Sequence, residues 1–258
     1  APASSGVVFV RKDLSSKVCI PAHIGQVTQV ERRTTLGDAP SLVTLTEHAL
    51  AALAGLRIDN CRVELDGPEL PGMDGSALAF TEALISAGIQ NQEATRSVWQ
   101  VTESATFTEN GTTISLHPSR KPGLKLSYFL DYGGHRSLGR QLFTTSLTPT
   151  TFRSEIASAR TFILESEIEM LRAKGLGART APRDLLVFTD DGVLDNELHW
   201  ANEPARHKVL DMIGDLALLG VDLQGHVIGY RSGHPQNVKL AQILNERLGH
   251  AFAQPRAA

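Results

Sequence analysis

The sequence predicts an α+β protein built from two halves of similar size. Three observations carry that expectation. Helical and strand-like patterns mix in both halves without the regular alternation of a doubly wound parallel sheet. A polar run, Gln90-Asn91-Gln92-Glu93-Ala94-Thr95-Arg96, separates the halves as a linker. The 258 residues, 41% apolar and 21% charged, suffice for a real core in one large domain or two smaller ones.

Val7 to Val10 alternates poorly but is β-branched and apolar, and reads as a strand. From Leu42 to Leu53 leucines and alanines recur at helical spacing, with Pro40-Ser41 before them and Gly55 as the stop. Cys61 to Leu65 alternates with period two, a second strand. Turn-rich Asp66-Gly67-Pro68 and Leu70 to Ser76 lead to a helix over Ala77 to Ala87 that ends at Gly88.

Beyond the linker, strand-like runs cover Val98 to Val101, Thr112 to Leu116 and Leu124 to Leu130. Thr151 to Leu171 holds two helical patterns around Ala159-Arg160-Thr161-Phe162. Asp184 to Phe188 is a compact apolar strand before an Asp190-Asp191-Gly192 turn. The strongest helix runs from Glu203 to Leu219, capped by Gly220. A strand at Val227 to Tyr230 and a helix at Val238 to Leu248 close the chain.

Net charge is −3, and Lys and Arg are spread rather than clustered, which argues against a nucleic-acid or membrane surface gripped by a basic patch. Cys19 and Cys61 form no C-x-x-C pair and read as buried thiols in a reducing compartment. No apolar run approaches the ~20 residues of a membrane helix, and no signal-peptide h-region follows Ala1. The expectation is a soluble cytoplasmic monomer.

Three segments carry candidate chemistry. In His207-Lys208-Val209-Leu210-Asp211, His207 and Asp211 lie four apart on one helix face, where an imidazole and a carboxylate can chelate one metal ion. Asp215 continues the stripe and could orient a ligand. The competing reading is an ordinary surface His–Asp pair. Thr46-Glu47-His48 sits in an apolar helix, where Glu and His cost free energy unless paired or metal-bound. Neighbouring helix positions point ~100° apart, so His48 can face a metal while Glu47 serves as proton acceptor for water. An ordinary charged pair at a partly exposed helix end is the alternative. Tyr230-Arg231-Ser232-Gly233-His234 offers a histidine at a strand end, either a general acid or simply a solvated side chain. Gly133-Gly134 and Gly175-Leu176-Gly177 read as turns, and no P-loop, dinucleotide fingerprint, H-E-x-x-H or G-x-S-x-G occurs.

Taken in order, these blocks resemble the UDP-3-O-acyl-N-acetylglucosamine deacetylase family of Gram-negative bacteria, which commits the cell to lipid A synthesis. The resemblance rests on Thr46-Glu47-His48, Ala51 to Leu56, Ile58-Asp59-Asn60, Asp66 to Glu69 and Met73 to Ala77. It continues in Ala159-Arg160-Thr161-Phe162, Arg206-His207-Lys208, Leu210-Asp211, Ile213 to Leu216 and Ser232-Gly233-His234.

The resemblance implies two domains of β-α-α-β sandwich type, 1–92 and 97–258, with the active site between them and an acyl-passage insert over about 163–200. It implies zinc on His48, His207 and Asp211, Glu47 as general base, and His234 as the group that protonates the amine or steadies the oxyanion. Thr161 matches the hydroxyl near the acetyl oxygen and Phe162 a residue near the sugar. Lys208 and Asp215 match the polar network around metal and diphosphate. Asp131 and Tyr132 resemble the pair that receives uridine, and Arg231 stands where the family often has lysine.

Ile163, Leu164, Ile168, Leu171, Leu176, Leu185 and Val187 are expected to supply the lining of the acyl passage, Ile168 and Leu176 as substrate contacts. Two departures from the pattern stand out. The family's G-x-G-L-H-[ST]-G segment lies upstream of Pro2 to Val7, so the first sheet is expected to lack its opening strand and the site a neighbouring histidine. Ala178 to Pro182 replaces a Gly-Gly-Ser-type turn. A catalytically impaired sugar-nucleotide binder, or a zinc deacetylase of another acylated sugar, are the rival expectations.

Overall fold

The computed structural model of the chain describes residues 1–173 and 184–253. It is a mixed α/β structure, in keeping with the α+β expectation. In the first half, β1 (Val7–Arg11) is central in a three-stranded sheet, antiparallel to β2 (Val18–Pro21) and parallel to β5 (Cys61–Leu65). Its central place explains why Phe9 and Val10 are both fully buried and why polar alternation is missing. A small hairpin follows, β3 (Val27–Gln29) with β4 (Thr35–Leu36), whose turn carries Thr34 into the interior.

The first helix, α1 (Glu47–Gly55), starts five residues later than the periodicity over Leu42 to Leu53 predicts. Val43 exchanges backbone hydrogen bonds with Leu36, and Thr44 donates to Pro68. Leu45 then takes a positive φ of 60° before the helix opens. Backbone groups committed to these bridges cannot join a helical ladder. Glu47 and His48 therefore occupy the first helical turn rather than the middle of a helix. The helix ends at Gly55, as expected. This glycine is the last helical residue, and a Cβ there would sit 2.3 Å from the Phe152 ring, so its lack of a side chain also serves packing. Helix α2 (Leu78–Ala87) ends as expected at Gly88, whose φ of 85° suits glycine.

Residues 89–96 have no regular structure, but Arg96 ties the segment down through Asp59 and Asp222. Beyond it come β6 (Val98–Gln100), β7 (Ala105–Glu109), β8 (Thr112–His117), β9 (Leu124–Asp131) and β10 (Arg140–Ser146). With β14 (Asp222–Tyr230) they form a sheet ordered β10-β9-β14-β8-β7, in which β6 also pairs with β14. Strands β7 and β10 escaped the sequence reading because polar residues, Thr above all, dilute their apolar alternation; β2 escaped it as only four residues ending in proline. Neither cysteine is buried as expected: Cys19 on β2 faces away from buried Ile20 and is exposed, and Cys61, at the very start of β5, is half-buried. β14 is longer than expected, with Leu223, Gly225, Val227 and Gly229 turned inward by its period of two.

After the short α3 (Pro149–Thr151) and a π-helical turn at Phe152–Ile156, the predicted second helical pattern is interrupted. β11 (Phe162–Leu164) is a strand, because Leu186 to Phe188 lie alongside it in parallel register. Then come α4 (Ile168–Ala173), β12 (Leu186–Thr189) and β13 (Gly192–Val193), completing the order β11-β12-β13. The Gly175-Leu176-Gly177 turn and the Ala178 to Pro182 departure lie outside the described residues. Helix α5 (Glu203–Ala217) stands where predicted. The last helix, α6 (His234–Ala253), opens four residues earlier than expected, with Pro235 in its first turn, a position that suits proline. One buried apolar cluster runs through α1, α5 and the large sheet, including Leu50, Ala51, Val209, Leu210, Ile213 and Val227.

Candidate metal centre and active site

Helices α1 and α5 approach so closely that a Cβ on Gly214 would lie 2.1 Å from the Glu47 carbonyl oxygen. This crossing presents the first turn of α1 to the face of α5 that carries His207 and Asp211. Nε2 of His207 lies 3.3 Å from Oδ1 of Asp211, and Nε2 of His48 lies 3.8 Å from the same oxygen. The two imidazoles meet edge to face at 5.2 Å. One donor atom from each of the three residues falls within 4.8 Å of the other two, and all three residues are buried.

These residues fit a metal. Ligand atoms ~2.0–2.2 Å from a tetrahedral zinc stand ~3.3–3.6 Å apart, close to the separations seen here. Oδ1 of Asp211, the atom both histidines approach, is buried without a hydrogen-bond partner among the described residues. Burial drives the His48 pKa down to about 3 and lowers that of His207, so both rings offer lone pairs. Burial works against ionisation of Asp211, but His207 and Lys208 hold its carboxyl well below the usual range. Lys208 donates to Oδ2 of Asp211 at 2.8 Å; burial opposes its charge, but Asp211 together with Tyr128 and Tyr132 pushes its pKa up.

The partner of His207 is the Ala159 carbonyl, 3.0 Å from Nδ1, which leaves Nε2 turned to the centre. The sequence assigned such an orienting role to Asp215. Instead Oδ2 of Asp215 accepts from Nδ1 of His234 at 2.9 Å and from the Asn237 amide at 2.9 Å, while Oδ1 accepts from the Thr34 hydroxyl at 2.6 Å. Asp215, one turn beyond Asp211, lies beside the start of α6, so the imidazole it orients is His234 rather than His207. His234 is no solvated loop residue; it is 6% exposed. Burial opposes its charge, but Asp215 and Asp211 push its pKa up to about 10. Glu47 is 1% exposed, and burial raises its carboxyl to about 7. Its Oε2 accepts from the Thr34 backbone N–H at 3.0 Å, and its Oε1 faces Nε2 of His234 at 3.9 Å.

A cleft of about 1020 Å³ opens over this centre. Thr161, Phe162, Asp131, Tyr132, Lys208, Arg231 and Ile168 all line it; Leu176 lies outside the described residues. Thr161 is held by its N–H to the Gly75 carbonyl at 2.8 Å, and Gly75 (φ 74°) leaves room for the Thr161 methyl. The Tyr132 and Phe162 rings meet edge to face at 5.7 Å, with Lys208 Nζ 5.6 Å from the Phe162 ring centre. Asp131 is already engaged: it accepts from Gly133 N–H, the Tyr230 hydroxyl and Arg140. Thr34, Asn237 and the Ala159 carbonyl were missed by the sequence reading. Asn237, three residues after His234 on one helix face, was within its reach; a buried threonine in Arg-Arg-Thr-Thr gave no local signal.

Comparison with known proteins bears on this centre. The profile of a family described as UDP-3-O-acyl N-acetylglycosamine deacetylase (LpxC) matches residues 1–246. The UDP-3-O-acyl-N-acetylglucosamine deacetylase of Nostoc sp. strain PCC 7120 is 37% identical over 249 residues, covering 95% of this chain and 88% of the relative. The protein of the same name from Chlamydia trachomatis serovar L2 is 37% identical over 251 residues, covering 97% and 87%. The bifunctional enzyme LpxC/FabZ of Chlorobaculum tepidum is also 37% identical, and the chain spans 58% of its greater length. No helix among the described residues is long and apolar enough to cross a membrane.

Proposed function

The chain belongs to the UDP-3-O-acyl N-acetylglycosamine deacetylase family, and from that premise we propose that it hydrolyses the acetamide of UDP-3-O-acyl-N-acetylglucosamine. The products are acetate and the free 2-amino sugar nucleotide, the committed step of lipid A synthesis. The observation that carries this reading is the buried convergence of His48, His207 and Asp211 beside a paired carboxylate and imidazole.

His48, His207 and Asp211 would hold zinc, which supplies Lewis acidity toward water and the acetamide carbonyl. Glu47, with its carboxyl raised to about 7, takes a proton from the attacking water near neutral pH. The Thr161 hydroxyl lines the same space and donates to the carbonyl oxygen as it gains negative charge. His234, kept protonated by Asp215, delivers its proton to the departing glucosamine nitrogen. Lys208 and Arg231 supply positive charge for the diphosphate, and Tyr132 and Phe162 supply aromatic faces for sugar and base. Asp131 receives uridine only if substrate displaces one of its present partners. Ile163, Ile168, Leu171, Leu185 and Val187 line the cleft and would bound the acyl chain.

We assign residues 1–92 and 97–258 to two domains of β-α-α-β type, working as a cytoplasmic monomer. Purified protein incubated with UDP-3-O-acyl-N-acetylglucosamine should release acetate in proportion to its bound zinc. Zinc-replete protein that releases none would sink the reading and leave the impaired homologue or another acylated sugar.

A further inference from the structure

Thr34 is fully buried in the turn between β3 and β4, and three of its polar groups are engaged. Its N–H donates to Glu47 Oε2 at 3.0 Å, its hydroxyl donates to Asp215 Oδ1 at 2.6 Å, and its carbonyl accepts from the Thr46 hydroxyl at 3.1 Å. The hydroxyl also lies 3.4 Å from Nδ1 of His234. A hydroxyl has one proton, and the shorter distance gives it to Asp215, whose other oxygen takes the His234 ring N–H.

The pattern of held and free atoms is specific. Of Glu47, Oε2 is held by Thr34, and Oε1 points toward His234. Of His234, Nδ1 is held by Asp215, itself held by Thr34, and Nε2 points back toward Glu47. The two free atoms stand 3.9 Å apart, too far for a direct hydrogen bond, so neither consumes the other. Among the described hydrogen bonds, Thr34 thus joins α1 through its backbone N–H and α5 and the start of α6 through its hydroxyl.

We propose that Thr34 is a positioning residue for the deacetylation described above, on which this inference rests. It fixes the proton-accepting carboxylate and the proton-donating imidazole in register, so that both free atoms address one acetamide. Its hydroxyl acts through Asp215, and its peptide N–H acts on Glu47 directly. With no water admitted at full burial, loss of the hydroxyl leaves Oδ1 of Asp215 without its donor.

The test compares Thr34→Val, Thr34→Ser and Thr34→Ala with the parent enzyme, all zinc-loaded and assayed for acetate release from UDP-3-O-acyl-N-acetylglucosamine. Thr34→Val should lower kcat by about 10- to 100-fold, the worth of one charge-assisted hydrogen bond, with KM and zinc content held. Thr34→Ser should recover most of that loss, since serine restores the hydroxyl. A kcat for Thr34→Val within about twofold of the parent overturns the inference, as does a serine variant no better than valine. Loss of zinc in Thr34→Val also overturns it, making Thr34 part of the metal scaffold. If Thr34→Val does not fold, Thr34→Ala is compared with Thr34→Ser in the same way, and failure of both to fold makes Thr34 a folding residue only. A parent that releases no acetate sinks the function itself, a result distinct from any change in the variant-to-parent ratio.

Discussion

The carbonyl of Glu47 rests against the α-carbon of Gly214, leaving no room for a side chain there: a Cβ would stand 2.1 Å from the oxygen and 2.8 Å from the carbonyl carbon. Both contacts are backbone, so relief requires the helices to part. Gly214→Ala should therefore cost about 1–3 kcal/mol of stability, against the gain of roughly 1 kcal/mol that alanine usually brings to a helix interior. Metal affinity should fall with it, because His48 is carried on α1 and the other two ligands on α5. Denaturant midpoints and zinc content of the variant check this; a variant as stable and zinc-replete as the parent would show that some other contact sets the crossing.

Glu47→Ala should leave zinc content nearly unchanged while turnover drops about 10²–10⁴-fold, the usual worth of general acid–base catalysis. Glu47 faces the centre through its neighbour's helix turn but is not among the three converging donors. Metal analysis beside the acetate assay separates the two roles. Zinc lost in step with activity would make Glu47 a ligand or a scaffold residue.

Chelation should destabilise the folded chain as well as silence it. The centre buries a carboxylate oxygen with no hydrogen-bond partner among the described residues, and an ion bound only by the native state stabilises by mass action. At zinc a hundredfold above its dissociation constant the gain is about 2.7 kcal/mol, or about 5–10 °C in Tm for a chain of this size. Thermal scans with and without zinc read it directly, and His207→Ala should abolish the difference. A Tm indifferent to zinc counts against the assigned centre.

Acyl length should set the specificity constant. Ile163, Ile168, Leu171, Leu185 and Val187 bring apolar side chains to the cleft from β11, α4, β12 and the residue before it. Each methylene buried there is worth up to about 0.8 kcal/mol, so kcat/KM should fall by up to about fourfold per carbon removed. A series of shortened acyl groups supplies the measurement. A flat profile would remove the passage from the mechanism and favour a deacetylase acting on a different sugar.

Two of the three candidate metal residues, His207 and Asp211, were legible in the sequence because their geometry is local. Four positions on one helix place His207 and Asp211 on one face whatever surrounds them, and the polar pair Glu47-His48 stands out against Leu and Ala. Helices α2 and α5 were legible for the same reason, their apolar period ending at glycines with positive φ, Gly88 and Gly220. The start of α1 was not, since Val43 and Thr44 are drawn from the helix by partners at Leu36 and Pro68.

What the sequence determined by itself, then, is the shared helix face of His207 and Asp211 and the helix that carries them, since period and spacing are properties of a short stretch of chain. His48 joined that pair as a ligand of the same centre through the family resemblance. Tertiary structure alone decided how those donors are held. Thr34 lies 13 residues from Glu47 and 181 from Asp215, yet it bonds to both. Asp215 turns to His234 rather than to His207, and the Ala159 carbonyl takes the place it was expected to fill. Such contacts join segments with no shared period, and they exist only because Gly214 lets α1 and α5 close to backbone contact.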